Sequence, residues 1–266
     1  MVAAYPSEAA ALIDALLAGA HKALGDNLVG FYLRGSLALG DFDPETSDVD
    51  VLVVTERAVS EPEFQSLAAL HNRIPACENR YGRHYEVSYV DRASLKRFGP
   101  GERYHPTVGS DWPFQRTEHR DNFIIERWMV RERGVALVGP DPKTLIDPIS
   151  ADELRVAVSD ELRARIEHWA GGDQPPDWMD TRYYQAFEGE TVCRALYTLE
   201  FGELSTKPQA VRWALGALPA PWRALIEWSQ IHRADKTPDD AKIPEIMRFV
   251  RWAASRLHPP VKNSAC

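Results

Sequence analysis

FYLRGSLALGDFDPETSDVDVLVVTE, residues 31–56, reads as the end of one strand, a Gly-Ser turn, and a second strand headed by two aspartates. LVGFYLR (28–34) has the apolar and aromatic content of a buried strand, and VDVLVVT (49–55) repeats that pattern. Gly35 and Ser36 supply the sharp turn, and Ser47 immediately precedes Asp48-x-Asp50. Residues two apart on a strand point to the same side, so Asp48 and Asp50 present their carboxylates on one face. Such a pair repels unless a cation lies between its members. Mg²⁺ takes hard oxygen ligands and is commonly held by one or two carboxylates plus substrate phosphates. An isolated Asp-x-Asp is more often an Asx turn at the start of a strand. The upstream Gly-Ser and the flanking β-runs instead favour a phosphate cradle beside a divalent-metal site.

A third acid is expected on RHYEVSYVD (83–91), where polar and apolar residues alternate. Glu86 lies on the opposite side from Val87 and Tyr89. If this strand runs beside VDVLVVT, Glu86 projects toward Asp48 and Asp50. Crowding and burial raise a carboxylate pKa whereas bound metal lowers it, and the sequence does not fix the balance. Glu86 is therefore a candidate general base, metal ligand or both, alongside the expected metal ligands Asp48 and Asp50.

Composition narrows the class. A content of 44% hydrophobic and 26% charged residues is that of an ordinary globular protein. There is no apolar run of the roughly 18 residues a transmembrane helix needs. No signal-peptide pattern stands at the N-terminus, and the three cysteines are scattered. The expectation is a cytoplasmic monomer without a membrane partner. A formal net charge of −8 argues against gripping a nucleic-acid backbone, which calls for a basic stripe.

The chain is expected to divide near residue 150. Block 1–150 begins with an amphipathic helix (5–24), supplies the strands, and adds a helix at 61–74. Block 151–266 lacks strand alternation. Helices are expected at 151–170 (started by Ser150 or Asp152), 181–201, 207–217, 221–233 and 243–257, with a Gly/Pro break GGDQPP at 171–176. The fold class is thus an α/β N-terminal domain, a mixed sheet with helices, followed by an all-α bundle. A ligand pocket is expected between the two blocks.

Gly35-Ser36, Asp48-x-Asp50 and Glu86 resemble the nucleotidyltransferase superfamily of the DNA polymerase β type. The rest of the chain is similar to the aminoglycoside nucleotidyltransferases that adenylylate streptomycin at 3″ and spectinomycin at 9. Segment 131–154 resembles that family's crossing between domains, PPDW (175–178) a following motif, and CRALYTLEFGELSTKPQAVRWALGALPA (193–220) its helical signature. The resemblance implies ATP and Mg²⁺ as cofactors, with Gly35, Ser36, Ser47, Arg194 and Lys207 on the nucleotide. It also implies a small cationic antibiotic as acceptor, met by Trp112, Trp169 and Asp177.

Aromatic faces and carboxylates are suitable partners for guanidinium groups. The plainer readings are an i,i+4 surface pair for Glu190 and Arg194, a solvated Lys207 in a turn, and packing roles for the tryptophans. This chain departs from the family at a longer break and in MDTRYYQAFEGE (179–190), where Asp180 or Glu188 would take over the drug-facing acid. Trp112, in GSDWPF, is expected in a loop entering a helix. Two alternatives remain from sequence: a nucleotidyltransferase acting on a protein or RNA, and a non-catalytic nucleotide sensor of the same fold.

Overall fold

Apolar residues at 9, 12, 13, 16, 20 and 24 form one stripe of α1 (Ser7–Leu24), and this stripe is buried. The computed structural model describes residues 5–76, 78–97, 104–110, 112–119, 122–170 and 177–257. It contains two compact units, Met1–Pro148 and Ile149–Cys266.

In the first unit, α1 is followed by β1 (Leu28–Leu33), α2 (Gly35–Leu39), β2 (Val49–Thr55) and α3 (Glu61–Arg73). Next come β3 (Tyr85–Asp91), α4 (Arg92–Lys96), β4 (Tyr104–Gly109), β5 (Trp112–Glu118), α5 (Asn122–Arg133) and β6 (Val135–Val138). The six strands form one mixed sheet in the order β5-β4-β3-β2-β1-β6. Only the β2–β3 pair is parallel, its crossover carrying α3; the other pairs are antiparallel.

Strand alternation then sorts the side chains. Val49, Val51 and Val53 of β2, with Tyr85, Val87 and Tyr89 of β3, enter the core shared with α1 and with Leu67 and Leu70 of α3. Asp50 and Glu86 therefore fall on the opposite face of the sheet. Local caps set the helix starts. The Ser60 N–H donates to the Glu63 carboxylate at 2.8 Å before α3, and the Asp91 carboxylate accepts from the N–H groups of Ala93 and Ser94 at α4.

The second unit is helical: α6 (Ala151–Ala170), α7 (Arg182–Phe201), α8 (Lys207–Ala217), α9 (Arg223–His232) and α10 (Ile243–Ala254). Val192, Cys193 and Leu196 of α7 pack with Val211 and Ala214 of α8, Leu225 and Ile226 of α9, and Ile246, Phe249 and Val250 of α10. Ser150 starts α6 by accepting from the Glu153 N–H at 3.2 Å and donating its own N–H to the Glu153 carboxylate at 2.9 Å. Gly202, at φ 69°, ends α7 in the left-handed conformation. The expected mixed sheet with helices and the expected helical region are both present.

One local expectation is corrected. Trp112 lies in β5 of a hairpin, not in a loop entering a helix. β5 is an edge strand exposed along most of its length, so it lacks the apolar alternation that marks a strand in sequence. Segment 131–154, likened to a crossing between domains, does carry the chain from the first unit into the second, and it also holds the end of α5 and β6, an unexpected strand that pairs with β1. Four residues on a sheet edge are too short to show a period. The break 171–176 lies outside the described residues. Among the described residues, no helix is long and apolar enough to cross a membrane.

A buried imidazole ties α3 to β3. His71 Nδ1 lies 3.0 Å from the Tyr85 hydroxyl and Nε2 lies 2.8 Å from that of Tyr89, so the neutral ring donates through one nitrogen and accepts through the other. Burial holds His71 down to about 3 and His105 to about 4, against 6.5 in an open chain. Below pH about 6.5 the unfolded chain takes up protons that the fold refuses, so stability is complete above that pH and declines as pH falls. Urea unfolding from pH 7 to 4 is expected to show this decline. His71→Gln should flatten it by about one proton, or about 1.4 kcal/mol per pH unit. An unchanged slope in that variant would contradict the assignment.

Candidate active site

The parallel register of β2 and β3 makes Asp50 and Glu86 direct cross-strand partners. No turn joins the two strands, so their acids meet only because the β2–β3 ladder is in this register. Gly35 closes the site from the β1 side. Its φ of 61° is left-handed, and an added Cβ would lie 2.0 Å from Asp50 Oδ2. Glycine is required here on both counts, since a side chain would be strained and would also displace the carboxylate.

Asp48 stands just before β2. The Ser110 hydroxyl donates to its Oδ2 at 3.0 Å, and His84 Nδ1 is 3.6 Å from its Oδ1. Ser110 sits in the turn that leads to Trp112, whose ring lies over Gly109 with 39% of the residue exposed. The hairpin therefore couples Asp48 to an exposed aromatic face. The Ser47 hydroxyl accepts from the Asp43 N–H at 3.0 Å and closes the turn ahead of the aspartates. Ser36 lies in the first turn of α2, where its carbonyl accepts from the Gly40 N–H at 3.0 Å.

Two residues at this site went unrecognised in the sequence. Arg34 ends the β1 run, and its N–H donates to the Asp50 carbonyl at 3.0 Å. Its guanidinium reaches Glu86 at 3.3 Å, Asp50 at 3.7 Å and, from α5, Glu126 at 4.0 Å. Burial opposes its charge, but Glu126, Asp50 and Glu86 together outweigh that and hold Arg34 above its ordinary range. Burial, and next the Asp50 charge, push Glu86 well above the usual carboxylate range, while Arg34 opposes the shift. An arginine placed immediately before Gly-Ser was a readable signal. Glu126 offered none, because a helical Glu is ordinarily a solvated one.

Among the described residues, no three acids, imidazoles or thiolates stand close enough to hold a metal ion by themselves. The donors nevertheless suit a divalent cation that completes its shell with phosphate oxygens. They are hard carboxylate oxygens set side by side by the β2–β3 register, beside a glycine cradle with no room for a side chain.

The second unit places its candidates differently. Lys207 opens α8 with its Nζ 4.3 Å above the Phe187 ring, and Thr206 caps that helix by accepting from the Gln209 N–H at 3.1 Å. Arg194 lies half-buried on α7. The surface-pair reading of Glu190 fails because Glu190 is buried, with Arg233 Nε 3.9 Å from it. Glu188 is fully buried, and Arg165 donates to it at 2.5 Å. As an internal ion pair it is not open to a ligand. Asp177 and Asp180 are exposed, next to an aromatic group of Trp178, Tyr183 and Tyr184. The side chain of Trp169 lies outside the described residues.

Comparison with known proteins accounts for both units. Residues 18–104 match the nucleotidyltransferase domain, and residues 144–256 match the aminoglycoside adenylyltransferase C-terminal domain. An aminoglycoside (3'')(9) adenylyltransferase of Rhizobium radiobacter is 30% identical over 246 residues, covering 85% of this chain and 86% of its own. The chain belongs to the aminoglycoside (3'')(9) adenylyltransferase family. A Klebsiella pneumoniae adenylyltransferase of the same name is 26% identical, covering 88% and 89% of the two chains. The fold is shared with spectinomycin adenyltransferase AAD(9) from Enterococcus faecialis, solved with ATP and spectinomycin. The TM-score is 0.74 at 17% identity, over 93% of this chain and 98% of that one. As a member of the adenylyltransferase family the protein is an enzyme, and Gly35 offers a direct probe of its site. Gly35→Ala is expected to cost about 1–2 kcal/mol of stability. By moving Asp50, it should also slow transfer about 100-fold or more. A variant that folds and retains the full rate would show that the cradle is dispensable.

Proposed function

We propose that this chain transfers AMP from ATP to a hydroxyl of an aminoglycoside or aminocyclitol antibiotic, streptomycin at 3″, spectinomycin at 9, or both, giving resistance. The reading is carried by the cross-strand pairing of Asp50 with Glu86 beside Gly35, in a chain of this family. The names of its relatives support the acceptor class, and the net charge of −8 suits a cationic acceptor better than a polynucleotide.

Asp48, Asp50 and Glu86 would hold Mg²⁺, which when bound supplies charge neutralisation to the triphosphate and Lewis-acid polarisation at the α-phosphorus. Gly35 lets the phosphates approach the backbone closely, and Ser36 and Ser47 contribute hydroxyls. Burial and the Asp50 charge raise the proton affinity of Glu86, and its ionised carboxylate accepts the proton of the attacking drug hydroxyl as general base. That oxygen bonds to the α-phosphorus in line, the bond to the bridging oxygen breaks, and pyrophosphate leaves. Lys207 and Arg194 are assigned to the nucleotide, where their charge offsets that of the leaving group.

Trp112, Trp169, Asp177 and Asp180 are assigned to the drug, as aromatic faces and carboxylates for its cationic groups. Glu188 reaches a drug only if Arg165 swings aside, which makes it the weakest of the assigned acids. Pyrophosphate release with ATP and Mg²⁺ across a panel of aminoglycosides and aminocyclitols tests the reading. The product should have gained the mass of AMP. Asp50→Asn and Glu86→Ala should each lower turnover about 1,000-fold or more while the circular dichroism stays native. Product on RNA or protein but on no drug would replace the acceptor, and substantial turnover in either variant would remove the roles given to these acids.

A further inference from the structure

Arg34 divides one charge among three carboxylates that come from three different elements: Asp50 on β2, Glu86 on β3 and Glu126 on α5. It grips none of them tightly. Its distances of 3.3, 3.7 and 4.0 Å all exceed the roughly 2.7–2.9 Å of a full charge-assisted hydrogen bond. Its side chain is only 11% exposed, so it cannot leave for solvent as a surface arginine does. The backbone of Arg34 is also fixed, through its N–H on the Asp50 carbonyl. What can change is how the guanidinium is shared among the three acids.

We propose that Arg34 is a resident counter-cation that keeps Asp50 and Glu86 in register before a divalent cation arrives, and that Glu126 is the carboxylate toward which it withdraws when the cation binds. The inference rests on the proposed use of Asp50 and Glu86 as cation ligands. Arg34 is thus a positioning residue, acting through those two acids and not on the reacting atoms. Two acids paired across a strand repel, and a guanidinium beside them offsets that repulsion at little cost if it is loosely held. A loosely held charge is also one that a divalent ion can displace without breaking a strong bidentate pair. Glu126 makes the displacement possible, because a buried arginine needs a carboxylate wherever it goes.

The test is thermal unfolding of the full chain across a Mg²⁺ titration that begins in chelator, with no nucleotide or drug present. Arg34→Met should melt several degrees below the wild type in chelator. Mg²⁺ should close most of that gap, since an ion that binds only the fold stabilises it by mass action. Arg34→Lys, which keeps the charge, should stay near the wild type. In Glu126→Gln the guanidinium has lost its retreat and competes with the ion, so the Mg²⁺ midpoint should rise several-fold.

An Arg34→Met deficit that is the same at every Mg²⁺ concentration would reduce Arg34 to a structural ion pair and overturn the proposal. An unchanged midpoint in Glu126→Gln would overturn it as well, and this variant decides the matter alone if Arg34→Met does not fold. Failure of the transfer reading shows separately, as a wild type that responds to Mg²⁺ but releases no pyrophosphate with any drug. A wild type that makes product while every variant melts identically at all Mg²⁺ concentrations would sink the Arg34 proposal alone.

Discussion

Asp50 and Glu86 repel one another across the parallel β2–β3 pair, and the surrounding residues are arranged about that repulsion. Arg34 partly offsets it from the end of β1, and Glu126 of α5 adds a third negative charge 4.0 Å from Arg34. Gly35 lets the chain turn within contact of the Asp50 carboxylate, which any other residue would displace. Behind the acids, the valines and tyrosines of the same strands bury against α1 and α3, which fixes the register on which the pairing depends. A slip of one residue would send the acids into the core. The sheet therefore holds a charge arrangement that is unfavourable until a cation shares it.

The helical unit handles charge in another way. Arg165 pairs with one carboxylate oxygen of Glu188 inside the bundle, and Arg182 ties the start of α7 to Asp239 and Asp235 at 2.8 and 3.3 Å. Removing Arg165 would leave the buried Glu188 carboxylate without its counter-charge, a loss of roughly 3–5 kcal/mol. Asp177 and Asp180 are instead exposed, beside Trp178, Tyr183 and Tyr184, which is where the proposed reading places a cationic ligand.

The parts of the fold legible in the sequence are those where period and burial coincide. β2 and β3 each bury one full face, and α1, α3 and α10 each carry an apolar stripe, so all were readable. β5 and β6 were not, because edge strands bury too little to show alternation. At the site, Asp50 and Glu86 stood out as acids on apolar strands, where acids are costly without a purpose, and Asp48 as an acid at the entry to one. Arg34 carried one signal, its place immediately before Gly-Ser, although a charged residue at a strand end ordinarily marks an exit to solvent. Glu126 was hidden because a helix brings it to the sheet through a contact 92 residues from Arg34, which local patterning does not encode.

Nucleotidyl transfer differs from phosphoryl transfer in which phosphorus the acceptor oxygen attacks. The most direct measurement follows radiolabel from ATP carrying ³²P at either the α or the γ position, with Mg²⁺ and streptomycin or spectinomycin. The account predicts α-label on the drug and γ-label released in pyrophosphate. γ-label on the drug, or no label on any antibiotic while ATP is still bound, would contradict it.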